Sequence, residues 1–476
     1  MKRQIQHRRV WAAFAASFIV SAPGSAGGQP FLPNMLPFAN PSGVAATFST
    51  TGTVDLTGPF FQSLGTNGRA CVSCHQPATG WTITPQGVQA RFDATGGTDP
   101  VFRTNDGSNS PQADVSTLKA RRAAYSMLLS KALIRVGIGI PANAEFVLDA
   151  VDDPYGHASA SELSLFRRPL PSTNLRFLST LMWDGRETLK DPASQDCVLG
   201  TSNCFASIHF DLTDQSNAAT TGHAQAAQSL TTAQREAIVA FEMALFTAQV
   251  FDVDAGELTT RQALGGPRYL SQQGFYFGIN DVVSGDYRTG ALFNPTVFKL
   301  YDAWNTLDRG GVATGVAEAR RAVARGETLF NSKPIRITGV KGLNDDLSVP
   351  LLQGTCTTCH DTPNAGNHSI PAPLDIGLTD ASRRSPDLPL YTLRHTLPPF
   401  EMIQTSDPGL AMITGKWKDI GRFKGPILRA VATRAPYFHN GSAKDLDALV
   451  DFYDQRFEIG LSIDEKADLV AFLSSL

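Results

Sequence analysis

Apolar residues recur at helical spacing in three stretches of the chain. Over 232–246, Ile238, Phe241, Met243 and Leu245 sit among charged residues behind a threonine suited to capping, which predicts an amphipathic helix. Over 444–457, Leu446, Leu449, Val450 and Tyr453 fall on neighbouring turns and predict another. The run Ser462-Ile463-Asp464-Glu465 has the form of a capping box and opens a last helix carrying Leu469, Val470, Phe472 and Leu473. Between 84 and 170 the pattern gives way to turn signals such as Gly96-Gly97-Thr98-Asp99-Pro100, with one helical piece at 118–129. Alternation of apolar and polar residues is nowhere sustained enough to predict a large sheet. The expected fold is mainly α with long loops.

The amino terminus has another pattern. Basic residues through Arg9 precede an apolar run at 10–20 and then the small residues Ser21-Ala22-Pro23-Gly24-Ser25-Ala26. Such a run has the length of a signal-peptide core and is short for a bilayer span. Residues 1–26 are therefore expected to be a cleaved export signal rather than a retained anchor. No other stretch approaches about 20 uninterrupted apolar residues, so a periplasmic protein without stable membrane insertion is expected. The composition, 42% hydrophobic and 18% charged over 476 residues, allows two or more domains with large cores and excludes wholesale disorder. The formal charge is −3, and without the four basic residues of the first 26 the remainder stands at −7. That balance argues against a nucleic-acid binder.

Six cysteines carry the chemistry. Four lie in two like patterns, Cys71-Val72-Ser73-Cys74-His75 and Cys356-Thr357-Thr358-Cys359-His360. Two thiols on one turn can add across the two vinyl groups of haem while the next histidine reaches the iron. A zinc site would want four ligands from neighbouring clusters, but these lie 285 residues apart and each has its own histidine. A redox dithiol does not need the histidine. Two covalently bound haem c groups are thus predicted, attached through Cys71, Cys74, Cys356 and Cys359, with His75 and His360 as iron ligands. Cys197 and Cys204 share a polar loop, where a disulfide is the simplest expectation in an oxidising compartment.

The stretches ahead of the two motifs echo each other, Pro59-Phe60-Phe61-Gln62-Ser63-Leu64 in one half and Gly326-Glu327-Thr328-Leu329-Phe330-Asn331-Ser332 in the other. The organisation expected is an export signal at 1–26 and an extended, proline-rich lead-in at 27–55. A first haem domain at 56–255 follows, its insertion 84–170 covering the haem, and then a second haem domain at 256–476.

Beyond the haem motifs, Met182-Trp183-Asp184-Gly185-Arg186, Gly425-Pro426-Ile427-Leu428-Arg429 and Ala435-Pro436-Tyr437-Phe438-His439-Asn440-Gly441-Ser442 follow in order, ahead of 447–453 and the last helix. In the order and character of these motifs the chain resembles the bacterial di-haem cytochrome c peroxidase and MauG family over most of 56–476. The resemblance implies a peroxide-reacting haem at His75 and an electron-feeding haem at His360. Trp183 would relay between them, Arg186 would pair with a propionate, and His439 would lie by the electron path, bonded to a propionate or water. It also implies a sixth ligand for the second haem fourteen residues after His439. Peroxidases with a high-potential haem carry methionine there; this chain has Tyr453, as MauG-like members do, with His368, Met402 and Met412 as alternatives. A phenolate favours ferric iron where a thioether favours ferrous iron.

Members that rest with a closed site place a second histidine soon after the first motif. Here none occurs between His75 and His157, and the position sixteen beyond His75 is Arg91, so an open first haem is expected. The family's distal glutamate falls in an insertion of this chain. Re-registering on Asp214-Gln215 brings Gln225 to its place, with His223 close by. Glutamine can orient peroxide but is no useful base, so His223 is the expected acid/base. Members also hold calcium between the haems, through main-chain oxygens that would be those of Arg434 and Pro436 and through an asparagine whose place is taken by Arg168. A cation cannot ligate a cation, so calcium would need other oxygens here.

The resemblance implies a peroxidase-type oxidoreductase that reduces hydrogen peroxide with electrons from a small c-type cytochrome or cupredoxin, in a family where homodimers are common. Two rivals keep the haems. One is a MauG-like enzyme oxidising a protein or small organic substrate, favoured by Tyr453 and the missing distal histidine. The other is a non-catalytic electron carrier, which an open first haem argues against.

Overall fold

The computed structural model describes residues 29–198, 202–307 and 315–476, and the expected export signal lies outside the described residues. The chain is mixed, 30% helical and 18% strand, which corrects the expectation of a mainly α fold. The strands left no alternating pattern because several are short or covered on both faces. Gly43–Ser49 and Leu245–Asp252 are largely buried along their lengths and pair antiparallel at the centre of a four-stranded sheet. Pro37–Asn40 and Gly256–Glu257 form its edges, so the lead-in is folded into the core rather than merely extended. The strand also takes the end of the expected helix over 232–246. The helix is Thr232–Met243, capped by Thr231, and the chain becomes strand at Leu245.

The segment 84–170 is more ordered than its turn signals imply. It holds the helices Pro85–Thr95, Leu118–Ala124 and Ser126–Lys131 and the strands Ile134–Ile138, Phe146–Asp152 and Leu163–Arg167. Val88, Phe92, Phe102, Tyr125 and Leu128 pack into one core with Cys74 at its margin, which sets the helical part beside the first cysteine motif. The strand Phe146–Asp152 instead joins the second half, pairing with Leu390–His395, which pairs in turn with Met402–Thr405.

In the second half the helices Val316–Ser332 and Ile463–Ser474 lie against each other. Gly326 is needed there, because a Cβ would come within 2.0 Å of the Asp468 carbonyl oxygen. The last helix opens with the expected box: Ser462 Oγ accepts from the Glu465 N–H, and the Glu465 carboxylate accepts from the Ser462 N–H. Phe298, Phe330 and Phe472 meet edge-on or tilted between these helices and back the second cysteine motif. The helix Leu446–Phe457, capped by Asp445, carries Tyr453.

Candidate haem sites

The two cysteine motifs are built alike. Each begins with a single tight turn, Cys71–Ser73 and Cys356–Thr358. A hydroxyl closes each turn: Ser73 Oγ accepts from the Ala70 N–H at 3.1 Å and Thr358 Oγ1 from the Thr355 N–H at 3.0 Å. In both, the histidine Nδ1–H donates to a carbonyl six residues on, His75 to Trp81 at 3.0 Å and His360 to Gly366 at 2.7 Å. That bond leaves Nε2 as the bare nitrogen, the form an iron ligand requires. Burial holds both imidazoles below their ordinary range, His75 at about 4, with the Trp81 hydrogen bond opposing and nearby His223 adding. A phenyl ring backs each one: Phe60 lies 6.2 Å from His75 and Phe330 5.8 Å from His360. The echo ahead of the motifs is thus one of ring packing; Pro59–Phe61 is only a short turn whereas Val316–Ser332 is a long helix.

All four motif thiols are free, and burial pushes Cys71, Cys356 and Cys359 up to about 12. Among the described residues no group of three or more His, Cys, Asp or Glu side chains forms a metal cluster. Cys197 and Cys204 are joined as a disulfide.

Each motif opens on a cavity, one around His75 and one around His360. The two share a wall that includes Arg168 to Pro171, Trp183 and Lys424. Trp183 Nε1 donates to the Arg168 carbonyl at 2.8 Å, and its ring stands 6.1 Å from that of His439. His439 is 1% exposed, stacks on Phe423 at 4.0 Å, and has no partner on either ring nitrogen among the described residues. Lys424 and Arg434 are buried too and donate to carbonyls, Lys424 to Thr180 and Arg434 to Ile427 and Arg429. Burial, helped by Arg434, lowers the Lys424 ammonium to about 7. Buried cations that meet no carboxylate among the described residues, and an imidazole with no partner among them, would receive the carboxylates at the edge of a haem. The thiol pairs, bare Nε2 atoms, cavities and cationic wall together fit covalently bound haem c.

The remaining residues singled out from the sequence divide cleanly. Arg186 lines the first cavity but donates to Asp184, so it also braces its turn. His223 caps the end of Ile208–Gly222, lines the same cavity, and its Nδ1–H donates to Asp106 at 2.5 Å. Arg69 bonds the other Asp106 oxygen. Burial alone would raise the Asp106 carboxyl, but His223 and Arg69 outweigh it and hold it below the ordinary range. Gln225 is corrected: it is exposed and outside both cavities, at φ 54° three residues past the helix end at Gly222, with Asn67 as its side-chain partner. Arg91 and His157 also lie outside the first cavity, Arg91 bonded to Asp99 and His157 facing Glu162.

Tyr453 and His368 both line the second cavity with His360. Burial raises the Tyr453 phenol and lowers His368 to about 3. Met402 is exposed on its strand and Met412 is buried in a separate core, which removes both alternatives.

Two carboxyls that the sequence reading passed over belong to the first cavity. One is Asp106. The other is Glu242, 5% exposed, with Oε2 unpartnered and its carboxyl raised to about 7 by burial against an opposing contact with Ser172. Its signal was present: Glu242 follows Ile238 and Val239 by four and three residues, on the face of the helix that those two bury.

A c-type haem protein is the class that these features define. In sequence the chain is similar to cytochrome-c peroxidase IdrP1 of Pseudomonas sp. (strain SCT), 33% identical over 25% of this chain and 36% of the relative. It is similar as well to IdrP1 of Denitromonas iodatirespirans, 28% identical over 37% and 44% of the two chains. Cytochrome c peroxidase Ccp of Escherichia coli (strain K12) is 39% identical over 16% of this chain and 17% of its own. The matches to the first two relatives thus span less than half of their lengths. No family model matches. A solved MauG-like protein associated with microbial copper homeostasis aligns over 88% of this chain and 87% of its own, at 16% identity and a TM-score of 0.32. The sequence similarity is consistent with the di-haem cytochrome c peroxidase and MauG family that the motifs resemble. Among the described residues no helix is long and apolar enough to cross a membrane.

Proposed function

We propose that the protein is a periplasmic di-haem c-type peroxidase, its haem domains at 56–255 and 256–476, reducing hydrogen peroxide to water with electrons from a small c-type cytochrome or cupredoxin. The observation that carries this reading is the common wall: two cavities, each with its own Cys-x-x-Cys-His, meet at Trp183. Bound haem would supply the iron that takes peroxide at His75 and passes electrons from His360. Everything else is the work of side chains. His75 and His360 present Nε2 because their Nδ1–H groups are committed to carbonyls. Each peroxide consumes two electrons and two protons. With Nδ1–H donated to Asp106, His223 keeps Nε2 free to take a proton from one peroxide oxygen and return it to the other. Trp183, pinned by the Arg168 carbonyl, offers a fixed polarizable ring for the electron path, and His439 and Arg186 would bind haem carboxylates.

Tyr453 supports a second reading. The second cavity has no methionine in its lining, and a phenolate ligand there would suit a MauG-like oxidation of a protein or small organic substrate.

The test is peroxide-dependent oxidation of a reduced small c-type cytochrome by the purified holoprotein, alongside Trp183→Phe. Rapid turnover, slowed in the variant, is the expected result. A peroxide-induced change in haem absorption without cytochrome turnover would replace it with the MauG-like reading. No spectral change would leave an electron carrier.

A further inference from the structure

Arg167 and Arg168 are adjacent, both buried, and neutralised in opposite ways. Arg167 meets two carboxylates, Asp184 and Asp407. Arg168, 5% exposed, meets none among the described residues. Its guanidinium donates instead to three carbonyls: Nη1–H to Lys131 at 2.7 Å, and Nη2–H to Ile83 at 2.9 Å and Arg434 at 3.1 Å. A buried charge normally finds an opposite charge. A cage of main-chain oxygens from three distant segments is what a hard metal ion would use.

The cage sits at the junction of the cavities. Ile83 lies just beyond Trp81, the residue that orients His75, and Lys131 ends the helix Ser126–Lys131. Arg434 comes from the second half, three residues before Tyr437 in the wall of the second cavity. The Arg168 backbone joins in, its N–H donating to His439 at 2.7 Å and its carbonyl accepting from Trp183. A calcium ion on the Arg434 carbonyl would stand against this guanidinium, with like charges in a buried site. The residues present therefore do not fit calcium at the place the family resemblance implies.

We propose that the Arg168 guanidinium is the resident cation of this junction, doing with fixed hydrogen bonds what a divalent ion would otherwise do, so that the two halves hold together without calcium. The proposal stands on the cage and does not depend on which substrate the haems serve.

Thermal unfolding of the holoprotein, followed by circular dichroism in chelator and in calcium, tests it. The midpoint of the natural protein and of Arg168→Lys is expected to be the same in EGTA and in calcium chloride. Arg168→Asn, which removes the charge and supplies an oxygen ligand, should unfold about 5 °C or more lower in EGTA and recover part of that loss in calcium. A fall in the midpoint of the natural protein on chelation, reversed by calcium, would overturn the proposal. So would an Arg168→Asn midpoint indifferent to calcium. Should that variant yield no folded protein with or without calcium, the chelation result on the natural protein decides alone.

Discussion

The two cavities have the same anchor and different company. Both hold a histidine fixed through Nδ1 to a carbonyl six residues on, with a phenyl ring behind it. The first is lined by His223, Asp106 and Glu242, groups that can hold or move protons, with Arg69 paired to Asp106. The second has no Asp or Glu in its lining and offers Tyr453 and His368 instead. A repeated scaffold is thus set in two surroundings, the first with carboxyls and an imidazole facing the cavity and the second with a phenol and an imidazole among apolar side chains, and it is this difference that the proposed division into a peroxide site and an electron site rests on.

The largest expected effect falls on the proton side. Replacing His223 with alanine should lower steady-state peroxide turnover by about 10²-fold while leaving haem content intact. Unchanged turnover would shift the proton work to Glu242. On the electron side, Tyr453→Met should raise the reduction potential of the second haem by on the order of 100 mV and leave the first where it was, as read by spectroelectrochemical titration. A potential that does not move would take Tyr453 out of the iron's coordination.

A smaller effect separates the cavities by pH. Burial raises Glu242 from 4.5 to about 7, so the folded chain keeps a proton that the unfolded chain has already released. Its contribution to stability is therefore intact below pH 4.5, is lost as pH rises from 4.5 towards 7, and stays lost above. Glu242→Gln should flatten the dependence of thermal midpoint on pH across that window. The mildest change is Thr47→Val, which removes the acceptor of the Trp81 indole N–H at 2.9 Å. It should cost about 1 kcal/mol in chemical denaturation and perturb the first haem's spectrum, not the second's.

What was legible in the chain was local. The Cys-x-x-Cys-His motifs, the capped helices Thr232–Met243 and Ile463–Ser474, and the disulfide loop each lie within a few consecutive residues. Sheet content was not legible, because Gly43–Ser49 finds its partner two hundred residues away and the pair is buried too fully to alternate. Separation in sequence also hid Asp106: it reads as a turn residue until its bond to His223, 117 positions later, is seen. Gln225 failed for a related reason. Its placement relied on counting across an insertion, and a helix that ends at Gly222 with a left-handed residue at 225 turns that side chain outward.

The chain of hydroxyls behind Trp81 makes the first motif depend on residues far from it in sequence. Thr47 accepts from the Trp81 indole and bonds Thr247 at 2.9 Å, which meets Thr173 at 2.8 Å. Trp81 in turn presents the carbonyl that orients His75. His360 relies on Gly366, held by Thr362 only four residues before it. The first cysteine motif is therefore complete only with the segment that bears Thr247 packed behind it, whereas the second is closed within its own eleven residues, 356–366.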